Sequence, residues 1–348
     1  MSDTISFIKF TKTGEIGSLE GKNSHVFLAK DDQLGVELVI KQLDKKKFKS
    51  EEYFLESKML YNCKHPNIVE IQYASQDKDN IYLAMPYYSK GSLNTLAKHR
   101  YLTVREIIKY SLDLLSGISY IHSKRLVHLD IKPTNILIDT TGRALLTDFG
   151  LSKYLDENGI ADQPNTYLVH ADPEWYQHSG RDVQSDIYQI GLTIYRLCNG
   201  IDILQNTLRK QGITNQDSLR IAVLKGKFPD RKNFLPHIPK KLQKIVLKAL
   251  EVDHTKRYQN TIELMNDLST IDCSLDWIYT GDNNTPYTKI TEEYRYDINV
   301  NTKINHIECL RKKLSTGKAT KVKGYCLDYS SEHGDLDKKL SEIVGGID

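Results

Sequence analysis

His128-Leu129-Asp130-Ile131-Lys132-Pro133-Thr134-Asn135, followed eighteen residues after Asp130 by Asp148-Phe149-Gly150, is the stretch on which the reading of the whole chain turns. It brings two carboxylates, one amide and one lysine into a short span of otherwise apolar and turn-forming residues. Carboxylate and amide oxygens are the ligands that a hard divalent cation takes, and a lysine beside them offers positive charge to an anionic group. Phosphoryl transfer asks a protein for that set: metal ligands, a positioned cation and a carboxylate near the attacking hydroxyl, with little covalent chemistry of its own. Either tripeptide alone more often marks an ordinary loop or strand end; the two together, in this order and spacing, outweigh that reading.

Upstream, β-rich stretches around 25–29, 36–42, 68–74 and 80–86 are interrupted by one helical segment near 50–62, which predicts a small sheet with a helix. Ile108, Leu112, Leu115, Ile118 and Ile121 then recur at gaps of three and four, the spacing of one helix face over 103–122. Two short strand-like runs follow, and helical periodicity returns at 185–198, 218–224, 239–250 and 259–268. The expected architecture is α+β and bilobal: a strand-rich N-lobe over 10–86 and a helical C-lobe over 92–270, joined near Pro86 to Ser92. Past about residue 270, GDNNTP at 281–286 punctuates the start of a further unit over 271–348. There Tyr294, Tyr296, Ile298 and Val300 alternate like a half-buried strand, Ile304, Ile307, Leu310 and Leu314 have helical spacing, and a strand near 320–327 and a helix near 335–344 complete an expected small α/β extension of β-α-β-α pattern.

The quoted stretch resembles the catalytic loop and metal-binding tripeptide of eukaryotic-type protein kinases, and the resemblance runs over roughly residues 14–270. It implies that Asp130 is the base facing the substrate hydroxyl, that Lys132 neutralises the transferred phosphoryl, and that Asn135 and Asp148 hold Mg2+, or Mn2+ in its place. A lysine at 132 goes with Ser/Thr rather than Tyr specificity in families of this kind. Val39-Ile40-Lys41 resembles the strand whose lysine holds the ATP phosphates, with Glu56 as its helix partner and Glu51 and Glu52 as rivals. Ungapped counting from His65 places Met85 behind the nucleotide and Pro86 and Tyr88 in the hinge, with Val26, Val39 and Leu137 as walls for the adenine; plain core packing is the competing reading for each. Leu60, Ile71, His128 and Phe149 match the apolar column that joins the two lobes. Asp172-Pro173-Glu174 stands for the usual Ala-Pro-Glu and closes a 27-residue activation segment from Asp148; Glu174 is expected to pair with Arg257, and Asp186 to cap the catalytic-loop backbone.

Three departures qualify the resemblance. The glycine-rich loop puts Leu19, Gly21 and Ser24 at its three glycine positions, or else starts at Gly17 with two extra residues; either way backbone N–H groups at Gly21 to Ser24 approach phosphates past more side-chain bulk. Leu129 replaces the arginine that usually precedes the catalytic Asp and pairs with an activation-loop phosphate, which implies activity without phosphorylation there. Tyr167, or Thr166 on a one-residue slip, stands where a threonine usually contacts Asp130 and Lys132.

Composition bounds the rest. The 348 residues, 39% hydrophobic and 27% charged, fit two to three globular domains, and no apolar run approaches the roughly eighteen residues of a membrane span. The start MSDTISFIKF lacks a signal-peptide pattern, so a cytoplasmic location and no membrane partner are expected. A net charge of +3 argues for no bulk nucleic-acid partner, although Arg311, Lys312, Lys313, Lys318, Lys321 and Lys323 cluster in the C-terminal unit; a solvated face is the plainer reading, since residues 271–348 sum to −2. Five scattered cysteines suggest free thiols. The competing functions are a protein Ser/Thr kinase with ATP and a protein substrate, a pseudokinase scaffold, and a kinase whose C-terminal unit senses nucleic acid or another partner. Oligomeric state is not legible.

Overall fold

The computed structural model describes residues 8–16, 24–47, 54–330, 332 and 334–347. Its first lobe is built from β1 (Phe10–Glu15), β2 (Ser24–Asp31), β3 (Glu37–Asp44), α1 (Leu55–Asn62), β4 (Tyr73–Gln76) and β5 (Asn80–Pro86), with the strands hydrogen-bonded antiparallel in the order β1-β2-β3-β5-β4. Alternation along the strands gives the sheet two faces. Phe27, Ala29, Leu38, Ile40 and Ala84 bury one of them. Registers Val26↔Lys41, Val39↔Met85 and Lys41↔Leu83 place Val26, Val39, Lys41 and Met85 on the other. The strand expected over 68–74 forms only from Tyr73. Ile68 instead makes a parallel bridge to Leu146 of the second lobe, and Val69 N–H donates to the Leu146 carbonyl at 2.9 Å, so this apolar run stitches the lobes together.

The second lobe runs through α2 (Leu93–His99), α3 (Val104–Ser123), β6 (Leu126–Val127), β7 (Ile136–Ile138), β8 (Ala144–Leu146), β9 (Lys153–Tyr154), α4 (Pro173–Gln177), α5 (Val183–Asn199), α6 (Ile203–Lys210), α7 (Gln216–Leu224), α8 (Lys240–Ala249) and α9 (Thr261–Ser269). Thr103 and Glu106 form a capping box that starts α3, and Asp182 with Ser185 starts α5 in the same way. Nearly every residue of α5 is buried, as expected of a helix at the centre of a lobe rather than on its surface. Gly191 permits this, because a Cβ there would meet the Ala249 Cβ at 3.0 Å and α8 would have to move away.

A separate core of Trp277, Tyr287, Ile298, Val300, Ile307, Cys309, Leu340, Ile343, Val344 and Ile347 organises the C-terminal unit. Here the expected β-α-β-α order is wrong. The unit is an antiparallel sheet of β10 (Ile278–Tyr279), β11 (Tyr287–Ile290), β12 (Tyr294–Asn301), β13 (His306–Lys313), β14 (Ala319–Lys321) and β15 (Leu327–Asp328), covered by α10 (Asp335–Gly346). Residues 306–313 are strand because Ile298↔Cys309 and Val300↔Ile307 bury apolar pairs across a hairpin. Ile304 and Leu314, which complete the helical spacing, are exposed residues outside the strand. Trp277 lies inside this core and donates its indole N–H to the Val344 carbonyl at 3.0 Å. The junction is made by neighbouring residues: Arg105 bonds both Asp276 oxygens at 2.6 and 2.8 Å, and Tyr279 packs against Tyr101 with ring centres 4.5 Å apart. Among the described residues no helix is long and apolar enough to cross a membrane.

Candidate active site

Lys41 is the centre of the cleft's electrostatics. Its Nζ lies 2.7 Å from Glu56 Oε1 and 2.8 Å from Asp148 Oδ1, so α1, β3 and the segment after β8 meet at one ammonium. Burial disfavours the charged amine, but Asp148 and Glu56 outweigh it and raise its pKa above the ordinary lysine value. In return the Lys41 ammonium holds Asp148 down to about 2, so Asp148 is a carboxylate at any physiological pH. Glu51 and Glu52, the rival partners, lie outside the described residues, as do Gly17, Leu19 and Gly21. Gly150 is small for a reason: a Cβ there would stand 3.2 Å from Asp148 Oδ1 and 3.7 Å from Lys41 Nζ. Phe149 belongs to the same buried core as Leu60 and Ile71, and its ring meets His128 edge-on at 5.0 Å.

Asp130 sits on the loop between β6 and β7. Lys132 Nζ bonds both of its oxygens at 3.0 and 3.1 Å, and Asn135 Nδ2 donates to Asp130 Oδ2 at 2.8 Å and to its main-chain carbonyl at 2.9 Å. Burial raises the Asp130 pKa, with Lys132 pulling against it. Asn135 spends its amide N–H groups on Asp130, and its oxygen accepts one long bond from Thr134 Oγ1 at 3.4 Å, which leaves it a lone pair for a cation. That oxygen and the partly exposed carboxylate of Asp148 form a hard donor set that fits Mg2+ or Mn2+. No cluster of three or more metal-ligating His, Cys, Asp or Glu occurs among the described residues, and two protein ligands suit a cation that shares a nucleotide's phosphates.

The loop itself is held from below. Asp186, buried on α5, accepts from His128 N–H at 2.9 Å and Leu129 N–H at 2.8 Å, while His122 donates to it at 2.8 Å. Leu129 has φ +63, a left-handed turn that aims Asp130 into the cleft. Gln189, one helical turn beyond Asp186, accepts from Ile131 N–H at 2.7 Å and donates to the Leu129 carbonyl at 3.0 Å. Sequence reading missed Gln189, although its three-residue spacing from Asp186 on α5 was the available signal. It also missed His170, whose Nδ1–H donates to the Ile131 carbonyl at 3.1 Å while Nε2 accepts from Arg196 at 3.0 Å; burial and Arg196 keep this imidazole neutral.

The remaining expected residues fall as follows. Val26 and Val39 on the sheet and Leu137 on β7 are half-buried, and Leu137 bridges to Ser92 just past Pro86 and Tyr88. Ser24 starts β2 opposite Leu43. Arg257 donates to Glu174 at 2.9 and 3.4 Å and to the Gln184 carbonyl at 2.6 Å, wholly buried. Of the basic residues in the C-terminal unit, Lys321 is paired with Glu308 and Arg311 lies over the Tyr294 ring.

Residues 10–267 match the family model described as the protein kinase domain, and the chain belongs to that family. Among its relatives, a probable serine/threonine-protein kinase PknB of Lactococcus lactis is 30% identical over 74% of this chain and 41% of its own length. The serine/threonine-protein kinase PrkC of Bacillus subtilis is 29% identical over 72% of this chain and 39% of its own length, and the Arabidopsis thaliana kinase AtPK1/AtPK6 is 32% identical over 42% and 31%. The chain therefore spans about two-fifths or less of these curated relatives.

Proposed function

We propose that this chain is an ATP-dependent protein serine/threonine kinase that transfers the γ-phosphoryl of Mg-ATP to a protein hydroxyl and works without phosphorylation of its activation segment. The observation that carries the reading is the single ammonium of Lys41 bridging Glu56 and Asp148, above a loop in which Asp130, Lys132 and Asn135 are already bonded together. In this reading Lys41 holds the phosphates, Asn135 and Asp148 hold the divalent ion, Asp130 orients the acceptor hydroxyl, and Lys132 steadies the transferred group. Pro86 and Tyr88 supply the adenine edge, with Val26, Val39, Met85 and Leu137 around it. The catalytic unit is residues 10–270, and five free cysteines favour a reducing, cytoplasmic setting.

The test is transfer of labelled phosphate from Mg-ATP to a generic basic acceptor by the purified chain, beside an Asp130→Asn control. Transfer to Ser or Thr that falls by about a thousandfold or more in the control supports the proposal. Nucleotide binding without transfer identifies a scaffold instead.

A further inference from the structure

Arg181, two residues before α5, is 2% exposed and joins the activation segment to the catalytic loop through a buried charge. Its Nη2 donates to Asp172 Oδ1 at 2.5 Å and to the Leu129 carbonyl at 3.3 Å. Its backbone exchanges two hydrogen bonds with Ala161, at 2.7 and 3.1 Å. Asp172 is wholly buried and also accepts from Trp175 N–H at 3.2 Å, at the start of α4. One residue thus ties the middle and the end of the segment to the loop: its backbone holds residue 161, and its side chain links residue 172 to the carbonyl of the residue before Asp130. The neighbouring Leu129 side chain, which replaces an arginine, fills an apolar socket with Val127, Leu155, Ala161 and Val183. The segment and the loop are therefore already joined by packing and by an ion pair at the place where a phosphate would otherwise need a cation.

We infer that the Asp172–Arg181 pair is a positioning device: it stands in for a phosphorylated residue, holding the activation segment and the Leu129–Asp130 peptide in register for transfer. A fully buried ion pair is a poor way to gain stability, because desolvation offsets most of its attraction. Arg181 heightens that cost, since its Nε and Nη1 are buried with no hydrogen-bond partner. What the pair does supply is direction: a planar guanidinium fixes a carboxylate and a carbonyl at set angles. The acceptor side of the site depends on it and the ATP side, built around Lys41, does not.

This inference rests on the kinase reading, and the experiment separates the two. The full chain is compared with Arg181→Met, which strands a buried carboxylate, and with the double variant Asp172→Ala/Arg181→Met, which removes both charges and folds on apolar packing. In the folded double variant, amide hydrogen exchange across residues 155–172 should speed up, and kcat should fall by about tenfold or more with KM for ATP unchanged. Arg181→Lys should recover part of kcat. Wild-type exchange or wild-type kcat in the folded double variant overturns the positioning role. If the unaltered chain transfers no phosphate, the kinase reading fails, and the exchange comparison still decides whether the pair holds the segment.

Discussion

Lys132 Nζ lies 4.9 Å from the centre of the Tyr167 ring while it bonds both carboxylate oxygens of Asp130. The half-exposed aromatic face of Tyr167 thus lies against the Lys132 ammonium, a cation–π contact added to the two hydrogen bonds that the lysine makes with Asp130. Tyr167→Phe preserves that face. Turnover of the double variant Thr166→Val/Tyr167→Phe, which offers no hydroxyl for phosphorylation at either position, should stay within about threefold of the parent, and Tyr167→Ala should lose about fivefold through the missing contact, on the order of 1 kcal/mol. Steady-state rates on one acceptor peptide, with mass spectrometry of the segment, check both.

Glu56 and Lys41 form the second testable pair. Their contact at 2.7 Å is buried, and Lys41 has a further carboxylate at Asp148 to hold it. Glu56→Gln removes one charge but keeps a hydrogen-bonding group, so the lysine shifts toward Asp148 and away from the phosphates. A loss of about thirtyfold in kcat/KM, on the order of 2 kcal/mol, is expected, with a melting temperature close to the parent's. A parallel fall in both would mean that the pair serves stability rather than phosphate binding.

Arg257 predicts the opposite split. It is buried and donates to Glu174 and to the carbonyls of Gln184 and Glu251, all within the helical lobe. Arg257→Ala leaves Glu174 buried and unpaired, a change that costs about 3–5 kcal/mol. For a domain of this size that corresponds to a drop of about 5–10 °C in melting temperature. Calorimetry should show it, while the fraction that stays folded keeps its specific activity.

The parts of the fold that were legible from the chain share one property: local order carries their geometry. Asp130, Lys132 and Asn135 meet because six residues of one loop enforce it, and Glu56 meets Lys41 because a helix register and a strand parity point both side chains into the same cleft. Asp172 and Arg181 were not legible as a pair, since a loop between α4 and α5 brings them together and neither has a periodicity to announce it. The C-terminal sheet was misread at 306–313 because Ile307 and Leu310, which face opposite sides of β13, line up with the exposed Ile304 and Leu314 in a helical spacing. The short helices α2 and α6 escaped for a related reason: each buries only two residues, too few to set a period.

His237 makes the seam between the helical lobe and the C-terminal sheet sensitive to acid. It is 1% exposed and lies against Tyr279 and Tyr287, with ring centres 6.3 and 5.7 Å away. Burial, partly offset by a backbone contact at Leu102, pushes its pKa down from 6.5 to about 4. Above pH 6.5 the imidazole is neutral in both folded and unfolded chains, and no penalty arises. As pH falls below 6.5 the unfolded chain takes up a proton that the folded one refuses, so stability declines until the folded group titrates near 4 and then levels off. The full span is worth about 3 kcal/mol. His237→Phe keeps a ring against the two tyrosines and removes the titration. Urea midpoints measured from pH 7 to pH 4 should therefore fall less steeply for the variant than for the parent, by about that amount at the acid end. Equal slopes would place the acid sensitivity in the carboxylates and leave the seam indifferent to His237.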